Sequence, residues 1–239
     1  MSLRVGLLQC DHVANDLIDK HGNYPEIFED MLLATDPDIE MAVYDLTADL
    51  FPVDLTACDA YIITGSQFSV YEDIPWINKA KQLINDLYQA KIPTIGICFG
   101  HQLIAESLGG KVSKATDKGW GVGVHSWKVI ENEEWMGRQS PDSFALRVSH
   151  QDQVTELPPD AKLFASSEFC PIAGFQTGDH FLSFQGHPEF SKEYAKALIN
   201  KRVERIGEEL SQKAIESLKN EVHSETVGDW ILRFIRKNT

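Results

Sequence analysis

The segment PTIGICFGHQ, residues 93–102, combines a cysteine with the spacing that a nucleophilic site requires. Cys98 lies between Gly96 and Gly100 in the pattern G-x-C-x-G, after an apolar strand-like run and before a helical one. The pattern predicts a nucleophile elbow, because glycines permit a sharp turn and a close backbone approach. The positive end of the helix would favour a thiolate, and the N–H of Phe99 would face an oxyanion. A buried structural cysteine beside a tight turn fits the same pattern.

The segment His187-Pro188-Glu189 provides the proton carrier that a thiolate nucleophile needs. It follows the apolar run at 181–185, and an open α/β sheet places its site at the ends of strands. We expect His187 to act as general base and then as general acid. Glu189 would accept a hydrogen bond from the imidazole and fix its tautomer. On its own, a histidine beside a glutamate also fits an ordinary surface pair.

Strand-like and helical runs alternate from the N-terminus to Gly109-Gly110. Apolar or alternating runs predict strands at 4–9, 39–46, 60–64 and 92–97. Helical spacing of apolar residues predicts helices at 23–32, 77–87 and 103–108. Residues 11–22 are polar and are predicted to be a loop. The alternation indicates a parallel sheet with helices on both faces.

The pattern changes between residues 120 and 186, where turns separate short strand-like runs. These runs are expected to extend the sheet or to form an antiparallel layer on it. From Ser191 onward two helices are predicted, and their apolar stripes are typical of core packing. The two stripes are Tyr194, Leu198, Ile206 and Leu210, and then Trp230, Ile231, Phe234 and Ile235. We therefore expect one α/β domain at 1–190, with helices at 191–239 packed on it.

Charge and composition argue against several classes of function. The 239 residues carry 22 basic and 36 acidic side chains, a net charge of −14, which disfavours nucleic acid or an anionic membrane as the main partner. The four cysteines lie far apart and the histidines are scattered, so neither a disulfide scaffold nor a metal site is expected. The N-terminal apolar run is too short for a secretory signal, and no run approaches the ~20 apolar residues of a membrane span. These features predict a cytoplasmic protein.

The two motifs, in this order and about 90 residues apart, resemble the class I (triad) glutamine amidotransferases, most of all the glutaminase domain of GMP synthetase. The likeness lies in GICFGHQ, HPE, ITGSQFSVYEDIPWI and SHQDQV, and spans residues 60–189. It implies a flavodoxin-like open α/β fold. Such a fold has a mostly parallel sheet, helices on both faces, extra antiparallel strands and, here, a C-terminal helical extension.

The resemblance also implies roles for individual residues. The triad of nucleophile, base and orienting acid would be Cys98, His187 and Glu189. The oxyanion hole would be formed by the loop at Gly65-Ser66 and by Phe99. The residues that would contact bound glutamine are Gln102, Ser149, His150 and Gln151. Ser66 stands where a second glycine is common, and Gln151 stands where GMP synthetases usually have glycine, so the contact to the α-groups of the substrate could differ here.

Three functions are consistent with the sequence. The first is a stand-alone hydrolase that cleaves the γ-amide of glutamine or of a γ-glutamyl compound through a γ-glutamyl thioester, without a cofactor. The stretch HGNYPEIFEDML at 21–32 resembles stand-alone γ-glutamyl peptidases, and a loop at 11–22 could shape a larger pocket or be an ordinary surface loop. The second is a glutaminase subunit that delivers ammonia to a separate synthetase chain, because no ATP-pyrophosphatase segment follows the motifs. The third is a catalytically silent regulator that binds a partner through its C-terminal helices.

Overall fold

Five parallel strands form one half of the central sheet in the computed structural model, which describes residues 2–138 and 140–239. Their order is β2-β1-β3-β4-β11, so the chain returns to the sheet at β11 beside β4 after a long excursion. The strands of this half are β1 (Arg4–Gln9), β2 (Glu40–Asp45), β3 (Ala60–Ile63), β4 (Thr94–Ile97) and β11 (Phe181–Phe184). All residues of β3, β4 and β11 are buried, as expected where both faces of a sheet are covered.

Antiparallel strands extend the same sheet beyond β11 in the order β10-β9-β6-β7. A separate two-stranded sheet pairs β5 with β8. The strands of this part are β5 (Lys111–Lys114), β6 (Gly121–Val129), β7 (Ser143–His150), β8 (Asp152–Glu156), β9 (Lys162–Ser166) and β10 (Gly174–Thr177). Of the two arrangements expected for these runs, the extension of the sheet is the one observed. The sequence did not predict the short strands β5 and β8, of which β5 is mostly exposed.

Helices cover both faces of the sheet, as predicted. Between β1 and β5 the helices are α1 (Asn15–His21), α2 (Tyr24–Thr35), α3 (Pro75–Gln89) and α4 (Phe99–Ser107). The C-terminal helices are α5 (Lys192–Lys201), α6 (Val203–Ile206), α7 (Glu208–Ser217) and α8 (Ser224–Asn238). Helices α2 and α8 pack together in the apolar core on one face, whereas α3 and α4 belong to the core on the other. No helix in the described residues is long and apolar enough to cross a membrane.

Two predictions about helices were wrong. The stretch 11–22 contains α1, which buries no residue completely and therefore lacks the apolar stripe that identifies a helix in sequence. The helix predicted through Tyr194 and Leu210 is three short helices. It is interrupted after Lys201 and again at Gly207, whose φ of +94° is a left-handed conformation that ends a helix.

Gly100→Ala is expected to destabilise the fold by about 1–3 kcal/mol, because a methyl group has no space there. A Cβ at Gly100 would lie 2.6 Å from the carbonyl oxygen of Ile63 in β3. Gly228→Ala is the matched control, since it also replaces a buried helical glycine but meets only Thr35 Oγ1, at 3.3 Å. The free energy of unfolding in urea measures both changes. Equal effects of the two substitutions would contradict this packing.

Candidate active site

Cys98 lies at the junction of β4 and α4 in a backbone conformation that a side chain rarely adopts, with φ +53° and ψ −99°. Its N–H donates to the carbonyl of Phe184 at 2.8 Å, which ties the turn to β11. The flanking glycines allow the turn: a Cβ at Gly96 would lie 2.6 Å from the Gly100 carbonyl, and Gly100 itself packs on β3. The strand, turn and helix therefore hold the thiol at the carboxyl end of the sheet.

His187 lies three residues after the end of β11, and three contacts fix its ring and backbone. Its N–H donates to the Arg147 carbonyl at 2.8 Å, and its ring stacks on Phe190 at 3.8 Å between centroids. Its Nδ1 is 2.6 Å from Oε1 of Glu189, and both His187 and Glu189 are buried. A Cβ at Gly65 would lie 2.9 Å from Cε1 of His187 and 3.7 Å from the Cβ of Cys98, so the imidazole and the thiol border the same loop. The structure thus brings the three side chains of the predicted triad together.

The ionisation of His187 is governed by this chain of contacts. Burial lowers its pKa, but the Glu189 carboxylate and Cys98 raise it more strongly, so that the pKa reaches about 10. At neutral pH the ring therefore carries a proton, which it can donate to an atom near the Cys98 sulfur.

Two backbone N–H groups lie close to Cys98 on separate elements. Phe99 provides the first N–H of α4, and Ser66 lies in the loop after β3. Within the described residues neither N–H has a hydrogen-bond partner. The preceding residue must be glycine, because a Cβ at Gly65 would lie 2.9 Å from Cε1 of His187. This pair has the composition of an oxyanion hole.

Asp11, two residues after the end of β1, holds the Ser66 loop in place, and no sequence motif singled it out. Its carboxylate accepts the N–H of Gln67 at 2.8 Å and the side-chain amide of Gln67 at 3.1 Å. Asp11 is 8% exposed. The carboxylate therefore fixes the peptide that follows the Ser66 N–H.

The amide of Gln102, one helical turn beyond Cys98, connects the nucleophile to the segment after β7. Its Nε2 donates to the Asp152 carbonyl at 2.9 Å and to the side-chain oxygen of Gln185 at 3.1 Å. Gln185 in turn donates to the Cys98 sulfur at 3.5 Å. Gln185 lies two residues before His187, but the sequence motifs did not identify it as a site residue.

The segment Ser149–Gln151 also borders the pocket beside Cys98. Ser149 Oγ accepts a hydrogen bond from Arg202 at 2.8 Å. His150 donates from Nδ1 to the Asp152 carbonyl at 3.0 Å, and burial lowers its pKa to about 3, so the ring is neutral. A second buried histidine, His101, forms hydrogen bonds with the Ser183 hydroxyl and with the Ile172 carbonyl, two residues before β10. It lies apart from the triad.

A cavity of about 220 Å³ opens above Cys98. The predicted site residues that line it are Ser66, Cys98, Gln102, Ser149, His150 and Gln151. Residues 11–22 do not line this cavity. Instead Lys20 and His21 of α1 border a second cleft, which reaches Glu189 and Phe190 from the other side.

The family model of class I glutamine amidotransferases matches residues 17–205 of the chain. The chain belongs to this family. Its fold agrees with that of a glutamine amidotransferase from Thermotoga maritima, with a TM-score of 0.77 and 22% identity over 99% of this chain and 97% of the other.

Two curated relatives match part of the chain. Gamma-glutamyl peptidase 3 of Arabidopsis thaliana is 39% identical over 153 residues, which are 62% of this chain and 61% of the peptidase. A glutamine-hydrolysing GMP synthase of Cupriavidus taiwanensis is 36% identical over 136 residues, which are 54% of this chain and 24% of the synthase. The match thus spans about three fifths of the peptidase's length and a quarter of the synthase's.

Trp120, Arg202 and Arg205 also line the cavity, although no quoted motif contains them. Asp152 lines it too and stands within the motif SHQDQV. The two arginines follow α5, and nothing in their local pattern distinguishes them from solvated helix charges. Among the described residues, no group of three or more His, Cys, Asp or Glu side chains could hold a metal ion.

Glu189→Gln is expected to lower the pKa of His187 from about 10, because burial then opposes the charge without the carboxylate. The ring proton titration of His187, followed by NMR, measures this change. Glu193→Gln, which alters an exposed glutamate on α5, is the control and is expected to leave the titration unchanged. An unaltered His187 pKa in Glu189→Gln would contradict the pairing.

The same substitution is expected to change how stability depends on pH. Since the folded-state pKa of His187 lies above its unfolded value, its contribution to the free energy of unfolding is complete below about pH 6.5. That contribution is lost as pH rises through about 10. The difference in the free energy of unfolding between wild type and Glu189→Gln, measured by urea denaturation, should therefore be largest at about pH 6 and shrink toward alkaline pH.

Proposed function

We propose that this chain is a cysteine hydrolase that cleaves the γ-amide bond of γ-glutamyl compounds. The carrying observation is that the buried His187–Glu189 pair and Cys98 meet at Gly65, beside a cavity that Cys98 lines. A structural cysteine would need neither the strained backbone of the elbow nor a paired imidazole.

In the first half-reaction, the sulfur of Cys98 attacks the γ-carbonyl carbon of the substrate. The N–H groups of Phe99 and Ser66 stabilise the oxyanion that forms. His187 donates its proton to the departing nitrogen, and the C–N bond breaks. The products of this step are a γ-glutamyl thioester on Cys98 and a free amine or ammonia.

In the second half-reaction, a water molecule attacks the thioester carbonyl and passes its proton to His187. The C–S bond breaks, glutamate leaves, and Cys98 regains its starting state with His187 protonated. Glu189 holds the ring in one orientation through both steps, because its carboxylate accepts from Nδ1.

We infer that γ-glutamyl peptides are better substrates than free glutamine. The similarity to gamma-glutamyl peptidase 3 supports this assignment. Gln151, at a position where GMP synthetases usually have glycine, lines the cavity and supports it further. A peptide leaving group also offers binding energy beyond the glutamyl group, which can be used for orientation at the reacting carbon.

A second candidate function is a glutaminase that supplies ammonia to a separate synthetase. The match to the glutaminase part of a GMP synthase supports it. The triad and the thioester are the same in both candidates, so only the preferred leaving group and the need for a partner distinguish them.

The test is the release of glutamate from free glutamine, from glutathione and from a panel of γ-glutamyl dipeptides. We expect a higher kcat/KM for a γ-glutamyl peptide than for glutamine. Cys98→Ala should abolish hydrolysis, whereas Cys58→Ala, which alters a cysteine of equal 4% exposure, should retain it.

Each other outcome has a definite meaning. Fast glutamine hydrolysis without peptide cleavage would favour the ammonia-supplying glutaminase. Activity that is weak on all substrates, and that rises with a cell extract, would indicate a synthetase partner. Hydrolysis that survives in Cys98→Ala would show that the nucleophile is assigned wrongly. No hydrolysis, together with slow alkylation of Cys98, would favour the silent regulator.

Asp11→Ala is expected to lower kcat by about tenfold, because Asp11 orients the Ser66 loop and loss of an oxyanion donor itself costs about 10²–10³ in kcat. The alkylation rate of Cys98 by iodoacetamide should stay near wild type, since alkylation forms no oxyanion. Asp54→Ala, which removes a carboxylate that also accepts a backbone N–H but lies elsewhere, is the control. Equal losses in both assays would show that Asp11 supports the fold and not this loop alone.

A further inference from the structure

One wall of the cavity above Cys98 is acidic. The Asp152 carboxylate accepts hydrogen bonds from Ser69 Oγ at 2.5 Å and from the Tyr71 hydroxyl at 3.0 Å. Beside it, Glu72 accepts the N–H of Ser69 at 2.6 Å. These two carboxylates line the cavity and are held in place by neutral donors. In the described residues neither pairs with a cation of the protein, so both are available to an ammonium group.

Another part of the cavity lining is basic, and two of its cations lie near one indole ring. The guanidinium of Arg205 lies 5.3 Å from the centre of the Trp120 ring, and that of Arg202 lies 6.0 Å from it. Lys114 lines the same cavity. In the described part of the chain, none of these three cations forms an ion pair with a carboxylate.

This accumulation of positive charge is unusual for the molecule. The chain has a net charge of −14, yet two guanidinium groups lie within 6.0 Å of the centre of the Trp120 ring, and in the described residues neither pairs with a carboxylate. Like charges that lie near one ring repel each other, and an anion bound beside them relieves the repulsion. Arg202 is also oriented by its hydrogen bond to Ser149, so its guanidinium group is held in place before a ligand binds.

We propose that Arg202 and Arg205 bind a carboxylate of the substrate, while Asp152 and Glu72 of the same cavity take its ammonium group. The inference rests on the proposed function and names the recognition chemistry of the same site. A γ-glutamyl dipeptide offers two carboxylates: the α-carboxylate of the glutamyl group, and the carboxylate of the residue beyond the scissile bond. Guanidinium groups suit either one, because their N–H donors match the two oxygens of a carboxylate.

Neither carboxylate changes charge when the γ-carbonyl is attacked. The contact is therefore of similar strength in the ground state and the transition state, and its loss should raise KM far more than it lowers kcat. Arg205 is the better residue to change, since it is exposed and its substitution removes no hydrogen bond to the protein, whereas Arg202 supports Ser149.

The test is calorimetric binding to the full chain carrying Cys98→Ala, so that it does not depend on turnover. The ligands are γ-glutamylglycine, γ-glutamylglycinamide, which lacks the second carboxylate, and 4-aminobutyrylglycine, which lacks the α-carboxylate. Adding Arg205→Gln should weaken γ-glutamylglycine binding about tenfold or more, as expected for a charge-assisted hydrogen bond. The penalty should disappear for the one analogue that lacks the recognised carboxylate, and this identifies which carboxylate is bound.

Two further variants complete the test. Arg205→Lys should restore part of the affinity for γ-glutamylglycine, since a lysine keeps the positive charge but lacks the paired N–H donors of a guanidinium group. Arg233→Gln, which alters an exposed arginine on α8 paired with Asp229, should leave every dissociation constant unchanged. An Arg205→Gln penalty that is absent, or equal for all three ligands, would overturn the proposal. Hydrolysis assays on wild type decide the proposed function separately, because binding is measured without the nucleophile.

Discussion

The backbone of Cys98, with φ +53°, is the constraint on which the site depends. A side chain in this region is strained, and the strain persists only where surrounding structure enforces it. Here the enforcement comes from three sides: the Phe184 carbonyl accepts the Cys98 N–H, Gly96 lies against Gly100, and Gly100 lies against β3. The result is a thiol that projects from the sheet, with the first N–H of α4 next to it.

The sheet topology brings the rest of the site to this thiol. Strands β4 and β11 are adjacent and parallel, and Ile97 pairs with Phe184, so the chain leaves both strands at the same edge. His187 follows within three residues and is stacked on Phe190. Segments that are about 90 residues apart in sequence thus meet because one strand returns beside the other, and the loop after β3 completes the arrangement from the other side of β4.

The sequence predicted those parts of the structure that have strong local signals. The elbow glycines, the apolar runs of β3, β4 and β11, and the HPE segment each carry their own pattern, and the resemblance to a family connects them. Helix α1 was missed because it buries no residue fully, and Gly207 ends a helix that apolar spacing alone would continue. Asp11 and Arg205 had no local signal, since the role of each depends on a long-range contact, with Gln67 and with Trp120.

The claim that Cys98 is the nucleophile is tested most directly by the mass of the intact chain, quenched in acid during turnover of a γ-glutamyl peptide. The account predicts a species heavier by one γ-glutamyl group, which peptide mapping places on Cys98 and which hydroxylamine removes, as expected for a thioester. The Cys98→Ala chain should show neither the adduct nor glutamate release. An adduct on a different residue, or glutamate release by Cys98→Ala, would contradict the account.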